Sequence, residues 1–246
     1  MPRALFLSSF SDGNLDAVEL QGLHRLASKV DFPARKTIFS EGQPANFVFG
    51  LSKGYVRLYK SLADGRRQIL SFALPGDFLG MPLRARHGLS ADAIGDVVTC
   101  RFSRVEFSNF VQRSPNIIWR LNEFATRELE RAQNLLLLVG NASAEDRVTA
   151  FLINWHNRLA RLGTPSEFVT LPMLRQDIAD FLGLELETVS RTFAKLQKKK
   201  VIRVVPKGVI LTRSTSEMMV RATDWKWSPL DTTPPRTIRA RIRRGW

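Results

Sequence analysis

Cysteine is nearly absent from this chain of 246 residues, in which Cys100 is the single example. One thiol cannot form a disulfide within the chain, nor can it supply a cysteine-based zinc site. Histidine is also scarce, and His24, His87 and His156 do not have the spacing of metal ligands. We therefore expect a protein without disulfides and without a metal or other cofactor.

Long apolar runs are missing as well. No segment approaches the roughly 20 apolar residues of a membrane-spanning helix, and no apolar leader follows Met1-Pro2-Arg3. Nucleophile–base pairs, carboxylate dyads and glycine-rich phosphate loops, the usual sequence signs of an enzyme, are absent too. These absences predict a soluble, cytoplasmic protein that is not an enzyme and does not bind membranes.

Acidic residues are too few to balance the basic ones. The 37 lysines and arginines face 23 aspartates and glutamates, and the resulting net charge of +14 favours a polyanionic partner. Residues 225–246 alone contain six basic residues and one acidic residue, together with Pro234-Pro235. We interpret this segment as a mostly disordered basic tail, which either adds non-specific attraction to phosphates or is a solvated end without a role.

Residues 174–193 have the pattern of two short helices joined by a tight turn. Ala179 is small where the two helices would cross, and Gly183 stands where the turn needs a positive φ. The segment therefore predicts a helix-turn-helix, whose second helix enters the major groove of double-stranded DNA.

The start of the second helix offers polar groups on one face. Glu187, Ser190 and Arg191 are three and four residues apart, so they project from the same side of a helix. Arg191 can donate two hydrogen bonds to guanine, Glu187 can accept from cytosine, and Ser190 and Leu186 suit the edge of thymine. The alternative is an ion pair between Glu187 and Arg191 on an ordinary helix surface.

Other polar residues around this motif are candidates for phosphate contacts, which fix the position of a protein on DNA. The candidates are Arg175, Gln176, Thr188 and Lys195. Residues 198–200 are all lysine, and they either add attraction to the DNA backbone or form a solvated helix end.

Residues 36–105 are typical of short strands separated by turns, and they predict a small antiparallel roll or barrel. A hairpin is predicted where residues 46–51 and 55–60 flank Gly54. Further turns are predicted at 63–66 and 75–77, and further strands at 68–72 and 97–102.

A long helix is predicted beyond the roll, with Pro115 in its first turn and its end at Gly140-Asn141. Apolar residues recur along it at close to the 3.5-residue repeat of a two-stranded coiled coil, which predicts a homodimer. The stripe consists of Ile118, Leu121, Ala125, Leu129, Ala132, Leu136 and Val139. The alternative is that the helix lies on the roll of its own chain.

A further helix is predicted from 143 to 162, and a hairpin around Pro206-Lys207 would form a wing beside the helix-turn-helix. The fold class is therefore α+β. We expect a β-roll sensor-type domain over 1–114, a dimerisation helix over 115–140, a winged helix-turn-helix over 141–224 and the tail over 225–246.

This order of elements resembles the CRP/FNR superfamily of bacterial transcription regulators over roughly residues 15–215. The resemblance is carried by Glu41-Gly42, Gly54, Asp64-Gly65-Arg66, Gly76-Asp77 with Gly80, and above all Glu187-Thr188-Val189-Ser190-Arg191. Glu-x-x-Ser-Arg is similar to the reading helix of the FNR and FixK branch. The cyclic-AMP receptor instead has an arginine before the glutamate and glycine in place of the serine.

The resemblance implies a cyclic-nucleotide-binding-type roll and a homodimer that binds an inverted repeat close to TTGAT-N4-ATCAA, with one half-site per subunit. It also implies a transcription activator that contacts RNA polymerase. Two alternatives stay open: a regulator that needs a cyclic nucleotide or other anion in the roll, and an architectural DNA binder that uses charge alone.

The effector sites of the family are not matched. Residues 1–30 contain none of the cysteines that hold an iron–sulfur cluster in the oxygen sensor of this branch, so we expect Cys100 to be a buried core thiol rather than a redox sensor. Leu89-Ser90 stands where the nucleotide pocket has Arg-Ser, although Arg84 and Arg86 lie nearby. The cysteine and histidine that hold haem in a gas sensor of this superfamily would fall near Gly80 and Pro82, which cannot bind iron. We expect no small-molecule effector, as in FixK-type members.

Overall fold

The computed structural model describes residues 16–80, 85–163 and 166–212. The predicted tail, Pro82 and Arg84 lie outside these ranges. Within them, no helix is long and apolar enough to span a membrane, and no group of three or more histidine, cysteine, aspartate or glutamate side chains could hold a metal ion.

The N-terminal part is an antiparallel roll preceded by helix α1, which begins after the capping residue Asp16. Two long strands, β3 and β6, pair along most of their length, and the shorter strands pair with one or the other. The elements are α1 (Ala17–Leu26), β1 (Ser28–Phe32), β2 (Thr37–Phe39), β3 (Phe47–Ser61), β4 (Arg67–Ala73), β5 (Phe78–Leu79) and β6 (Ser90–Ser103). This arrangement confirms the predicted roll.

The turns predicted at residues 63–66 and 75–77 are confirmed. Gly65 has φ +82 between β3 and β4, and Gly76 has φ +96 between β4 and β5. In each turn an aspartate side chain accepts from a backbone N–H, Asp64 from Arg66 at 3.0 Å and Asp77 from Leu74 at 2.9 Å. Such local side-chain bonds are the reason aspartate favours turns.

The hairpin predicted at Gly54 is wrong, because β3 continues through this residue as one strand. Both halves of β3 pair with the same partner strand, with shifts of register between Leu51 and Lys53 and between Lys53 and Tyr55. Gly54 has φ +87, and a Cβ atom there would overlap the carbonyl oxygen of Asp96. The glycine is therefore needed for an irregularity that bends a long strand pair, not for a chain reversal.

We expect Gly54→Ala to lower the free energy of unfolding by more than Gly65→Ala. Both positions have a positive φ, which costs an alanine about 1–2 kcal/mol. A Cβ at Gly65 meets nothing within 4 Å, whereas a Cβ at Gly54 also overlaps Asp96. Urea denaturation of the two variants and the parent measures the difference, and equal losses would show that β6 moves away at no cost.

Helices follow the roll. They are α2 (Arg104–Val111), α3 (Pro115–Asn141) and α4 (Ala144–Ala160). Pro115 lies in the first turn of α3, as predicted, and the helix ends at Asn141. Ser143 caps α4 by accepting from the backbone N–H of Asp146 at 3.2 Å. The helix predicted to reach residue 162 ends at Ala160.

Helix α3 has two apolar faces. On the inner face, Ile117, Leu121 and Phe124 pack into a buried cluster of the roll. On the outer face, Leu129 and Leu136 are 59% and 74% exposed. The other members of the predicted stripe divide in the same way: Ile118, Ala125 and Ala132 are exposed, whereas Val139 is half-buried. The helix therefore lies on its own roll and still exposes most of the predicted stripe.

The C-terminal part contains β7 (Phe168–Thr170), α5 (Arg175–Leu182), α6 (Leu186–Lys198), β8 (Ile202–Val205) and β9 (Gly208–Leu211). Strand β9 pairs with both β7 and β8 in an antiparallel sheet. The hairpin predicted around Pro206-Lys207 is confirmed, with Lys207 at φ +62. Strand β7 was not predicted from the sequence.

The roll and the C-terminal part pack against each other. Phe72 of β4 lies 5.9 Å from Trp155 of α4 and 5.4 Å from Phe181 of α5, measured between ring centroids. Beside these rings, Asp177 of α5 accepts from Arg57 at 3.0 Å and from Arg67 at 3.1 Å. Asp177 is only 1% exposed, so these pairs hold α5 to the roll in a water-poor environment.

Candidate nucleic-acid interface

Helices α5 and α6 form the predicted helix-turn-helix. Gly183 adopts the left-handed conformation, with φ +63, directly after α5. The backbone N–H of Leu184 donates to the carbonyl of Ala179 at 3.1 Å and closes the turn. Ala179 is fully buried where the helices meet, together with Ile178. The residues that led to this prediction therefore have the structural roles expected of them.

Helix α5 begins at a side-chain cap. One carboxylate oxygen of Asp177 accepts from the backbone N–H of Leu174 at 3.0 Å, while the other accepts from the two roll arginines. A single buried carboxylate therefore both starts the helix and fixes it to the roll. The sequence gives no sign of this second role, because Arg57 lies 120 residues away from Asp177.

The buried and exposed sides of α6 are clearly divided. Val189, Phe193 and Leu196 are buried beneath the helix, while Glu187, Ser190 and Arg191 are exposed on the other side. This division follows from helical spacing, since residues three and four apart share a face. Leu186 and Thr188 are half-buried at the edge of the exposed surface.

Arg191 and Glu187 do not neutralise each other. The guanidinium of Arg191 donates to the Thr188 hydroxyl at a long 3.4 Å, and in the described part of the chain no ion pair joins it to Glu187. Both charged groups are therefore available to a partner that approaches this face. Glu187 also lies in the first turn of α6, where a negative charge is favourable beside the helix dipole.

Two of the phosphate candidates precede this face, at the start of α5. The guanidinium of Arg175 lies over the ring of Phe193, and burial lowers its pKa from the usual value to about 10. Its Nη1 is buried, and no hydrogen-bond partner is found among the described residues. Because its pKa of about 10 is still well above 7, Arg175 remains charged at neutral pH. Gln176 is exposed, and its amide donates to Asp180 at 2.6 Å.

The remaining candidate, Lys195, already has a partner. Its amine pairs at 2.7 Å with Glu145 in the first turn of α4, and Lys199 pairs with the same carboxylate. Hydrogen bonds from these two lysines lower the pKa of Glu145. Sequence reasoning did not find this link between α4 and α6, because nothing local to Glu145 points to lysines 50 or more residues away.

Each candidate effector residue that the structure describes in the roll has its own local contacts. Cys100 is buried, as expected, with its sulfur 3.5 Å from the Ser52 hydroxyl. His87 stacks on Phe39 with ring centroids 4.0 Å apart. Burial lowers the pKa of His87, and the positive charge of Arg104 lowers it further. Arg86 donates to the carbonyl of Gly42 at 2.7 Å. Leu89 lines a largely apolar cavity of about 200 Å³ between β4, α3 and α4.

Comparisons with known proteins match the roll and the helix-turn-helix to two family models. Residues 29–114 match the model of the cyclic nucleotide-binding domain, and residues 171–202 match that of the bacterial regulatory proteins of the crp family. The chain is 52% identical over 197 residues to the transcriptional activatory protein AadR of Rhodopseudomonas palustris, which covers 80% of this chain and 82% of that protein.

Two FixK proteins are also similar. The nitrogen fixation regulation protein FixK of Bradyrhizobium diazoefficiens is 48% identical over 198 residues, which cover 80% of this chain and 84% of that protein. The solved structure of FixK2 from Bradyrhizobium japonicum superposes with a TM-score of 0.72 at 32% identity, covering 79% of this chain and 96% of that one.

Proposed function

Because this chain belongs to the crp family of bacterial regulatory proteins, among relatives such as AadR and FixK, we propose that it activates transcription by binding a specific DNA sequence as a homodimer. These relatives are regulators and not enzymes. The observation that carries the proposal is the exposed face of α6, on which Glu187 and Arg191 stand without neutralising each other.

The proposed reading of DNA follows from the chemistry of this face. Arg191 donates to the O6 and N7 atoms of a guanine, and Glu187 accepts from the amine of a cytosine. Ser190 and Leu186 contact thymine through its O4 atom and methyl group. The proposed target is an inverted repeat close to TTGAT-N4-ATCAA, with one half-site per subunit about one helical turn apart.

The proposed phosphate contacts come from Arg175, Gln176, Thr188 and Lys195. Phosphate contacts fix the register of a reading helix without selecting a sequence. The Arg175 guanidinium lies over the ring of Phe193, so Arg175 packs against the buried side of α6. This contact favours a role for Arg175 in holding α6 against the DNA backbone. The Lys195 side chain is well exposed although its amine is paired, so a phosphate can share the amine with Glu145.

Dimerisation is proposed through the outer face of α3. Exposed leucines seven residues apart, Leu129 and Leu136, are costly in water and match the spacing of a coiled-coil seam. We propose the domain limits given above, with 115–140 as the dimerisation helix, and contact with RNA polymerase through the surfaces of both domains. We propose no cofactor, and no cyclic nucleotide in the roll, because Leu89 cannot pair with a phosphate.

Binding of the purified, ligand-free protein to a TTGAT-N4-ATCAA duplex and to a scrambled duplex tests this function at about 0.15 M salt. We expect a preference of at least about 1,000-fold for the repeat, the lower end of the usual range for specific DNA binding. Equal binding that weakens steeply with salt would indicate an architectural DNA binder instead. Weak binding to both would mean that a ligand in the roll, or another half-site, is required.

A further inference from the structure

Arginines converge on one cavity outside the proposed DNA-reading face. A cavity of about 190 Å³ lies where the turn between β4 and β5 meets the middle of α3 and the end of α4. Its wall contains one acidic residue, Asp77, and five arginines. The arginines are Arg120, Arg127, Arg131, Arg158 and Arg161.

Nearby carboxylates do not balance this charge. Arg158 pairs with Asp77 at 3.0 Å. Arg120 and Arg127 share one carboxylate, that of Glu123, at 3.3 and 2.8 Å. Arg131 pairs with Glu128, and for Arg161 the described residues provide no ion pair. Three carboxylates therefore pair with four of the five arginines.

Donors inside the cavity wall also lack acceptors. The Nε and Nη2 atoms of Arg120 are buried, and within the described ranges neither has a hydrogen-bond partner. Burial lowers the pKa of Arg158 to about 10, with the charge of Arg131 acting in the same direction and Asp77 against it. Burial lowers the pKa of Arg161, and the positive charges of Arg131 and Arg127 lower it further. Unsatisfied buried donors are costly, so an anion in this cavity would be stabilised.

We propose that this cavity binds a small anion with a phosphate group, either inorganic phosphate or a phosphomonoester of a few carbons. The planar guanidinium group matches the oxygens of phosphate in pairs. The volume is below the roughly 300–1,000 Å³ of sites for drug-sized ligands, so it suits an anion much smaller than a dinucleotide. Phe124 and Leu162 give part of the wall an apolar character that suits a short carbon chain.

The position of the cavity gives the anion a consequence for DNA binding, which rests on the proposed function. Arg127 and Arg131 belong to α3, whereas Arg158 lies in the last turn of α4 and Arg161 directly follows α4 as its C-cap. The two helices are joined at Ala142, which has an extended backbone. An anion held by both pairs would link the helices across this junction. It would thereby fix the orientation of the helix-turn-helix relative to the proposed dimer helix.

Calorimetry of the full chain with inorganic phosphate, with glycerol 3-phosphate and with chloride at matched ionic strength tests the site. We expect saturable binding of at least one phosphate compound, weakened about tenfold or more by Arg161→Gln. Arg113→Gln is the matched control, because Arg113 is exposed and does not line the cavity. The phosphate compound that binds more tightly identifies the source of the anion.

Absence of saturable phosphate binding would overturn the proposal, as would equal weakening by both substitutions. Affinity for the repeat duplex is then measured with and without the preferred phosphate compound. We expect a change that Arg161→Gln removes, and an unchanged affinity would overturn the regulatory role. Because anion binding is measured without DNA, a failure of the proposed function would not be mistaken for a failure of the site.

Discussion

Arg191→Ala is expected to abolish the preference for the repeat while leaving binding to scrambled DNA nearly intact. Each good bidentate contact to a base contributes about 1–3 kcal/mol of discrimination, and a dimer would lose two of them. Arg191 is exposed and makes one long hydrogen bond to Thr188, so its removal should change the free energy of unfolding by less than about 0.5 kcal/mol. Fluorescence anisotropy with both duplexes measures the effect.

Lys198→Ala is the matched control, because it also removes one positive charge from an exposed position of α6. Loss of a charge that acts only through phosphates should weaken binding to both duplexes to a similar extent and reduce the salt dependence. If Arg191→Ala bound the repeat as tightly as the parent, Arg191 would not be a base-reading residue.

The helix-turn-helix could be predicted because its determinants are local. A small residue at the helix crossing, a glycine at the turn and polar residues three and four apart all act within 20 residues of sequence. Gly183 in the left-handed conformation and the exposed face of α6 follow directly from that pattern. The turns at Gly65 and Gly76 were predictable for the same reason.

Features that depend on distant parts of the chain were not predictable. The pattern around Gly54 is the same for a hairpin and for a bent strand, and only the pairing of both halves with β6 distinguishes them. The partners of Asp177 are arginines of the roll, and the carboxylate shared by Lys195 and Lys199 belongs to α4. In each case the sequence alone suggests a solvent-exposed charged residue, because its partner is distant in the chain and comes close only in the folded protein.

The stripe of α3 shows a further limit of periodicity. A spacing of three and four residues identifies an apolar face but does not identify what covers it. Leu121 belongs to the predicted dimer stripe by spacing, yet it packs on the roll of its own chain with Ile117 and Phe124. The helix therefore lies in part on the roll of its own chain, whereas the dimer seam stays a prediction. Its exposed leucines are the residues suited to test that prediction.

Leu129→Asp is expected to convert a dimer into monomers. Leu129 is 59% exposed in the single chain, so an aspartate there should be tolerated by the fold. In a paired α3 seam the same aspartate would face its copy, and burying two like charges is strongly unfavourable. Light scattering during size exclusion should give the mass of one chain, 27.9 kDa, instead of twice that value.

Val105→Asp is the control, since Val105 is 69% exposed on α2 and does not belong to the stripe. This variant should remain dimeric, which separates the effect of the seam from that of adding a charge to an exposed apolar site. A Leu129→Asp protein that stays dimeric would place the interface elsewhere, and a monomeric parent would overturn the proposed dimer. If the seam is correct, the monomeric variant should also lose most of its affinity for the repeat, because two half-sites would then be bound independently and not through one rigid pair.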